Sequence, residues 1–184
     1  MIDRGGRFEW MTPGVLTLLA LASLIGPLII YLTKKQRFSM MLIFMISPLI
    51  IGDLNGTDFY WSERVSSIGI EEWIERLILN GTYPALPWLS FIFLGSLLEG
   101  DKENSDNQNM IVKTGLFVIL ISMIYSFYEK IPWALTEGNA TLTFFPANTM
   151  FMLTSGIFVV ILFRVLEGRE TSGGSLLEEK ESAG

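Results

Sequence analysis

The feature that most constrains this chain is the grouping of its apolar residues into five long blocks that polar turns separate. A surface helix of a soluble protein alternates apolar and polar positions with a period of about 3.6 residues. Here whole helical turns carry no polar side chain, as in residues 157–163. The pattern therefore predicts an all-α integral membrane protein, a bundle of about five transmembrane helices. The blocks cover residues 15–32, 38–51, 86–98, 110–128 and 150–166.

The blocks differ in how well they match the thickness of a bilayer. The first, fourth and fifth are long enough to cross a hydrocarbon core about 30 Å thick. The second contains Pro48 and the third begins near Pro84 and Pro87, and proline suits the start of a helix but not its middle. Either both shorter blocks are full spans shielded by their neighbours, or one of them is a re-entrant segment.

The first block also resembles a signal peptide, because residues 20–22 offer a small-residue cleavage site. The apolar sequence continues past that site, however, and ends in the basic residues of 34–37, the flank of a retained helix. The tail after the last block is rich in Gly, Ser and Glu, which is typical of disorder. We predict an outer N-terminal segment at 1–13, a transmembrane helical bundle at 14–167 and a disordered cytoplasmic tail at 168–184.

Composition excludes several kinds of chemistry. The sequence has no cysteine, so it forms no disulfide, thiolate nucleophile or cysteine metal site. It also has no histidine, the commonest general base near neutral pH and a common zinc ligand, and we predict no metal site. The net charge of −6 argues against a nucleic-acid partner and leaves the lipid bilayer as the expected surroundings.

The distribution of lysine and arginine predicts the orientation, because cytoplasmic loops carry the excess of positive charge. With five spans, the larger basic group falls on one side, which places the N-terminus outside and the C-terminus in the cytoplasm. Three Asn-x-Thr sequons, at Asn55, Asn80 and Asn139, then all lie outside, in agreement with this orientation. The larger group comprises Lys34, Lys35, Arg37, Lys102, Lys113, Arg164, Arg169 and Lys180.

The long outer connection between the second and third blocks contains a segment with helical periodicity. Apolar residues recur from Ile70 to Ile78, with glutamates on the opposite face. Glu72 and Arg76 stand four apart, and Asn80-Gly81 suits a helix end. We predict a short amphipathic helix, which either covers apolar edges of the bundle or acts as a substrate gate.

Three charged residues near the inner ends of the blocks are candidates for binding. Glu99, Lys113 and Arg164 could form an ion-paired cluster, or the two basic residues could hold a phosphorylated cofactor. The alternative is that Lys113 and Arg164 extend to the interface while Glu99 faces water. The cofactor-binding candidates are therefore Lys113 and Arg164, and the charges do not decide between these alternatives.

A second candidate region follows the second block on the outer side. Carboxylates lie beside aromatic residues there, a combination used in acid–base chemistry and in sugar binding, and also present in any solvated interfacial loop. Trp88, at the start of the third block, is a further binding candidate, although tryptophans at block ends also anchor proteins at membrane surfaces. We assign no catalytic residue. The outer-loop binding candidates are Asp53, Asp58, Tyr60, Trp61 and Trp88.

Three stretches together resemble membrane proteins of the heparan-alpha-glucosaminide N-acetyltransferase type. Residues 14–24 are similar to a helix in the middle of those proteins. Residues 83–89, with Tyr83-Pro84 and Pro87-Trp88, and residues 93–100 resemble the opening of a later span, and residues 145–154 resemble the proline-led entry to another helix. The resemblance thus covers the later, C-terminal portion of the family.

The resemblance implies a multi-span enzyme that passes an acetyl group from cytoplasmic acetyl-CoA to a sugar amine or hydroxyl. It also implies an N-terminal half with an Asp-x-x-Arg-Gly helix and an outward-facing catalytic histidine. This sequence has no histidine, and Asp3-Arg4-Gly5 lacks the motif's spacing. Acetyl-CoA is therefore implied by the resemblance alone, and no cofactor is assigned to the chain by itself.

Two functions follow from these observations. One is a partial, acyltransferase-like bundle, either a fragment of a longer enzyme or a relative that needs a partner chain to supply the missing N-terminal helices. The other is a non-enzymatic membrane helper, binding or transport subunit that uses the outer loop. The sequence alone does not separate the two, because motif matches of this kind are hypotheses.

Overall fold

The computed structural model describes residues 13–51, 64, 65, 67, 69–100 and 105–182, and most of these are helical. Each of the five apolar blocks lies mostly in helix, as predicted. A π-helical turn, Arg76–Asn80, follows α3, and a pair of short strands joins α6 to α7. The elements are α1 (Val15–Ile29), α2 (Lys34–Ile50), α3 (Ile70–Glu75), α4 (Ala85–Trp88), α5 (Ser90–Gly100), α6 (Ser105–Tyr128), β1 (Ala134–Glu137), β2 (Leu142–Phe145) and α7 (Thr149–Ser182).

The turn between α1 and α2 is held by side chains at the start of α2. Thr33 caps α2: its hydroxyl accepts from the Gln36 backbone N–H at 3.4 Å, and Gln36 Oε1 accepts from the Thr33 N–H at 2.9 Å. This reciprocal pair satisfies backbone donors that a helix start leaves unbonded. Arg37 donates from Nε to the Leu32 carbonyl at 2.9 Å, so it closes the end of α1.

The core lies where α1, α2, α5 and α7 meet. Met45 of α2, Leu94 of α5 and Met152 of α7 are buried in one apolar cluster. The rings of Phe44 and Phe93 stack with centroids 5.5 Å apart, which joins α2 to α5. Aliphatic and aromatic packing therefore determines how these helices sit against one another.

Helix α6 reaches the bundle through a close contact with α7. A Cβ atom added at Gly115 would lie 2.5 Å from Ile157 Cδ1, so glycine is what allows the two helices to approach here. Gly156 of α7 similarly faces α2, with an added Cβ 2.7 Å from Met45 Cε. Small residues at helix contacts are a general means of close packing between apolar helices.

Much of the apolar surface of the helices is exposed. Leu16 on α1 is 78% exposed, Phe117 on α6 is 62% exposed and Leu162 on α7 is 59% exposed. Two of the described segments, Ile70–Leu98 and Thr149–Leu166, are long and apolar enough to cross a membrane. Only 28% of the second segment is buried, whereas the core helix of a soluble protein is mostly buried.

The predicted helical fold is thus confirmed in part, and the count of about five membrane-crossing helices stays a prediction. The chain is mostly helical, and two segments meet the length and composition needed to cross a membrane. The apolar helices Val15–Ile29 and Val112–Tyr128 are shorter than that requirement. Helix α2 also falls short, because polar and basic residues occupy its first turn.

The predicted all-α fold needs one correction, because β1 and β2 form a parallel pair. Ala134 pairs with Leu142, and Glu137 with Phe145. Pro132 and Pro146 interrupt helix on either side of this region, and Thr and Phe favour extended backbone. These local preferences explain a break in the helical pattern that apolar blocks do not reveal.

The backbone of α7 is helical through residues 168–182, and the disordered tail that we expected from residue 168 onward stays a prediction. Residues 176–181 are Leu, Glu and Lys, which are good helix formers, and they extend an existing helix without a new nucleation step. The cytoplasmic location of this tail stays a prediction.

A short helix lies where we predicted one, although Ile70, Ile74 and Ile78 of its apolar face are exposed and its outer location stays a prediction. Helix α3 and the π-helical turn span residues 70–80, and Arg76 donates to Glu72 Oε1 at 2.7 Å. The turn ends at Gly81, whose N–H donates to the Arg76 carbonyl at 2.8 Å. An added Cβ at Gly81 would lie 2.1 Å from that carbonyl oxygen, so a side chain would not fit at this stop.

Candidate functional site

An apolar groove of about 1040 Å³ could hold a ligand, and we call it the α2–α7 groove. Four helices form it, and all of them contribute aliphatic or thioether side chains. The contributions come from Phe38, Met41, Leu42 and Met45 of α2, Leu94 and Leu97 of α5, Met110 and Val118 of α6, and Leu153, Ile157 and Val160 of α7. Its two glycines, Gly115 and Gly156, are the contact glycines described above.

The groove has a basic mouth, formed by Lys34 and Lys35 in the first turn of α2. The other polar side chains of its described lining are the hydroxyls of Ser39 and Thr114. Lysines are unfavourable at the N-terminus of a helix, because the backbone dipole already makes that end positive. The mouth therefore combines three sources of positive potential beside an apolar interior.

The structure brings the two inner-end candidates to the same end of the molecule as this mouth. Arg164 of α7 lies one turn beyond Val160 of the groove, and its Nη1 donates to Asn109 Oδ1 of α6. Lys113 is exposed one turn further along α6, next to Thr114 of the groove. We call Asn109, Lys113 and Arg164 the basic rim. The side chain of Glu99 lies outside the described residues.

The outer-loop candidates are for the most part not placed. Asp53, Asp58, Tyr60 and Trp61 lie outside the described residues, so their binding role stays a prediction. Trp88 is placed, and it is half-buried in a cluster of aromatic rings. Its ring centroid lies 5.6 Å from that of Tyr83, 5.4 Å from Phe144, 6.0 Å from Phe91 and 6.1 Å from Phe151.

Several buried polar atoms near this aromatic cluster and in α7 are features that sequence reasoning missed. Within the described residues, the indole Nε1 of Trp88 and the hydroxyls of Ser90, Thr149 and Thr154 are buried without a hydrogen-bond partner. Ser90 is fully buried. Two of these residues could have been noticed in the sequence. Ser90 and Thr149 are polar, and each lies three residues after a proline, where a helix start is expected.

Among the residues that the structure describes, no group of three or more carboxylate, histidine or cysteine side chains could hold a metal ion. The basic rim and the mouth of the groove instead present cationic and amide groups. Such groups suit an anionic ligand, because guanidinium and ammonium groups donate hydrogen bonds to phosphate and carboxylate.

A protein-family model described as heparan-alpha-glucosaminide N-acetyltransferase, catalytic, matches residues 7–124. The chain belongs to this family. The matched range includes two of the three stretches that carried the resemblance, residues 14–24 and 83–100, and ends within α6. The third stretch, residues 145–154, lies beyond it. No curated protein and no solved structure matches this acetyltransferase-family chain.

Family membership confirms the resemblance, and it accords with the apolar helices in suggesting association with a membrane. The narrower statement, that the chain corresponds to the later portion of the family, stays a prediction. The groove and the basic rim both involve helices inside the matched range, since α2 and most of α6 belong to it.

Proposed function

We propose that this chain is a membrane-embedded helical bundle that takes part in acyl transfer together with another protein chain. Membership of the acetyltransferase family supports the acyl-transfer part. The family resemblance implies a catalytic histidine, and these 184 residues contain none, so in this proposal the histidine comes from outside them. The remaining bases are carboxylates, lysines and tyrosines, and we assign none of them a catalytic role.

In this proposal five segments cross the membrane: α1, α2, α5, α6 and the first half of α7. The exposed apolar side chains of these helices support it, since lipid is the surroundings in which such surfaces are stable. The shorter helices would cross with flanking turns, lysines extending to the interface. The N-terminus would lie outside and the end of α7 in the cytoplasm, where the basic rim and the mouth of the groove would meet anionic solutes.

The proposal of a cofactor site rests on the Arg164–Asn109 hydrogen bond, which joins α7 to α6 beside the exposed Lys113. We propose that this basic rim holds the phosphates of acetyl-CoA, which supplies an acetyl thioester when bound. Asn109 would orient the guanidinium, and a pre-oriented guanidinium loses less freedom on binding a phosphate. The side chains of the basic rim suit the phosphates of acetyl-CoA, because each of them is a cation or an amide.

A binding measurement on the purified chain tests this role of the rim. We expect Arg164→Gln and Lys113→Gln each to weaken binding of acetyl-CoA about tenfold, the loss of one charge-assisted contact. Lys130→Gln, at the opposite end of α6, is the control and should bind as the parent does. Equal binding by all four proteins would exclude the basic rim.

An activity measurement tests the need for another chain. We expect no transfer from acetyl-CoA to glucosamine by the purified chain, and transfer when it is co-expressed with a partner that supplies a histidine. Turnover by the chain alone would overturn this part of the proposal. The non-enzymatic alternative, in which the outer loop binds a solute, also stays a prediction. Its candidate binding residues are Asp53, Asp58, Tyr60 and Trp61.

A further inference from the structure

The α2–α7 groove is longer and more apolar than an acetyl group requires. Its lining on α2 runs from Lys34 to Met45, which corresponds to about 16 Å at a rise of about 1.5 Å per residue. Along that length its interior is aliphatic, aromatic or thioether, with Ser39 and Thr114 as the polar exceptions in the described lining. The pantetheine arm of acetyl-CoA carries amides that would lose hydrogen bonds in such surroundings.

Glycine occupies one position on the wall of the groove. Gly156 faces Met45 and Leu94, and a Cβ atom there would lie 2.7 Å from Met45 Cε. A larger residue would therefore displace the end of the Met45 side chain, which also lines the groove. Open apolar space of this kind favours an apolar occupant, because water there would find few hydrogen-bond partners.

The charges at the mouth indicate the chemistry of the ligand's polar end. The charged side chains of the described lining are both lysines, at the end of α2 where the helix dipole is also positive. An anion placed there would be attracted by the ammonium groups and by the positive end of the helix dipole. A molecule with an anionic head and a long alkyl chain complements both ends of the groove.

We propose that the α2–α7 groove binds an anionic phospholipid of the bilayer, with one acyl chain along the groove and the phosphate at Lys34 and Lys35. A bilayer lipid is the chosen occupant because the exposed apolar faces of α6 and α7 lie beside the groove, so a lipid can enter sideways. This inference rests on the membrane-embedded part of the proposed function and is independent of acyl transfer.

The head-group contact is tested with the full-length chain in nanodiscs, by measuring the binding of fluorescent phosphatidylglycerol and phosphatidylcholine with identical acyl chains. We expect phosphatidylglycerol to bind at least tenfold more tightly. Lys35→Glu should remove that preference, Lys35→Arg should keep it, and Lys130→Glu should leave it unchanged. Equal binding of both lipids by the parent chain would overturn the proposal.

The acyl-chain contact is tested by filling the groove from its exposed edge. Thr114 lines the groove and is exposed, so Thr114→Trp narrows it without changing a buried residue. We expect this variant to lose phosphatidylglycerol binding at least tenfold, and Ile43→Trp, exposed on α2 outside the groove, to retain it. Circular dichroism checks that both variants remain folded.

Two further outcomes would overturn the proposal. Tight binding of dihexanoyl phosphatidylglycerol would show that the acyl chain contributes nothing, and stronger competition by palmitoyl-CoA would make a long-chain acyl donor the occupant. Acetyl-CoA binding is measured on the same samples. Lipid binding without acetyl-CoA binding would support the groove while counting against the basic rim, so the two proposals fail separately.

Discussion

At the scale of single residues, the contacts that were predictable are those between neighbours in sequence. The Glu72–Arg76 pair and the stop at Gly81 follow from spacing, because residues four apart share a helix face and a glycine fits a crowded helix end. Gly115 carries no such local signal. Its partner Ile157 is distant in sequence, so only the packing of α6 against α7 reveals why glycine is required.

Replacing Gly115 with alanine should therefore destabilise the bundle by about 1–3 kcal/mol, the usual cost of overpacking. The free energy of unfolding in mixed micelles, from denaturation by sodium dodecyl sulfate, measures the effect. Gly95→Ala is the matched control, because nothing lies within 4 Å of an added Cβ there, and it should be neutral or stabilising. Adding Ile157→Ala to Gly115→Ala should recover part of the loss. Equal stability of the two alanine variants would contradict the close contact.

Trp88 is the one outer candidate that the structure places, and its surroundings favour a packing role. Trp88→Ala should cost about 3 kcal/mol, because a large ring leaves an aromatic cluster. Trp88→Phe keeps an aromatic ring and removes the buried, unbonded Nε1, so it should cost less than about 1 kcal/mol. Thermal unfolding in detergent compares them. A loss with phenylalanine as large as that with alanine would show that the indole N–H itself matters.

At the scale of elements, the apolar blocks predicted where the long helices lie. The residues at which the helices begin and end were not predicted, because they depend on polar side chains outside the blocks. Helix α2 starts at Lys34, before its apolar block at residue 38, because Thr33 and Gln36 form a capping box. The strands β1 and β2 escaped prediction for the opposite reason. Four-residue strands have no periodic signal, and their pairing depends on two segments meeting in space.

The capping box gives a prediction for α2. Thr33→Ala should lower the free energy of unfolding by about 1 kcal/mol, since the Gln36 N–H loses its acceptor. Thr33→Ser retains a hydroxyl in the same position and should stay within about 0.5 kcal/mol of the parent. Both are measured by denaturant titration in micelles. A serine variant as unstable as the alanine variant would show that the hydroxyl is not the stabilising group.

At the scale of the whole molecule, a candidate site emerged only when four helices were assembled. The sequence indicated Lys113 and Arg164 as charges at block ends, and the structure adds Asn109, which accepts a hydrogen bond from Arg164. The groove was not predictable, because its lining comes from separate helices and its apolar residues look the same as any that face lipid. Only the packed structure shows which apolar side chains line the groove and which lie on the outer surface of the bundle.

The orientation of the bundle can be tested with N-glycosylation in microsomes. Asn139 lies in the exposed turn between β1 and β2, whereas Asn80 is buried and donates from Nδ2 to Glu75 Oε1 at 2.8 Å. If the N-terminus is outside, this turn enters the lumen, and Asn139→Gln should remove one glycan from the parent pattern. Electrophoresis with and without glycosidase measures the shift.

The opposite end of the molecule provides the matched reporter. Gly173→Asn creates the sequon Asn-Gly-Ser in the last part of α7, which should stay unmodified because it would face the cytoplasm. A chain modified at residue 173 and unmodified at Asn139 would have the reverse orientation. The mouth of the groove and the basic rim would then face the lumen, away from cytoplasmic acetyl-CoA. Because both reporters are read on one gel, an inverted bundle and a bundle that fails to insert give different patterns: the first carries a glycan at residue 173, the second at neither site.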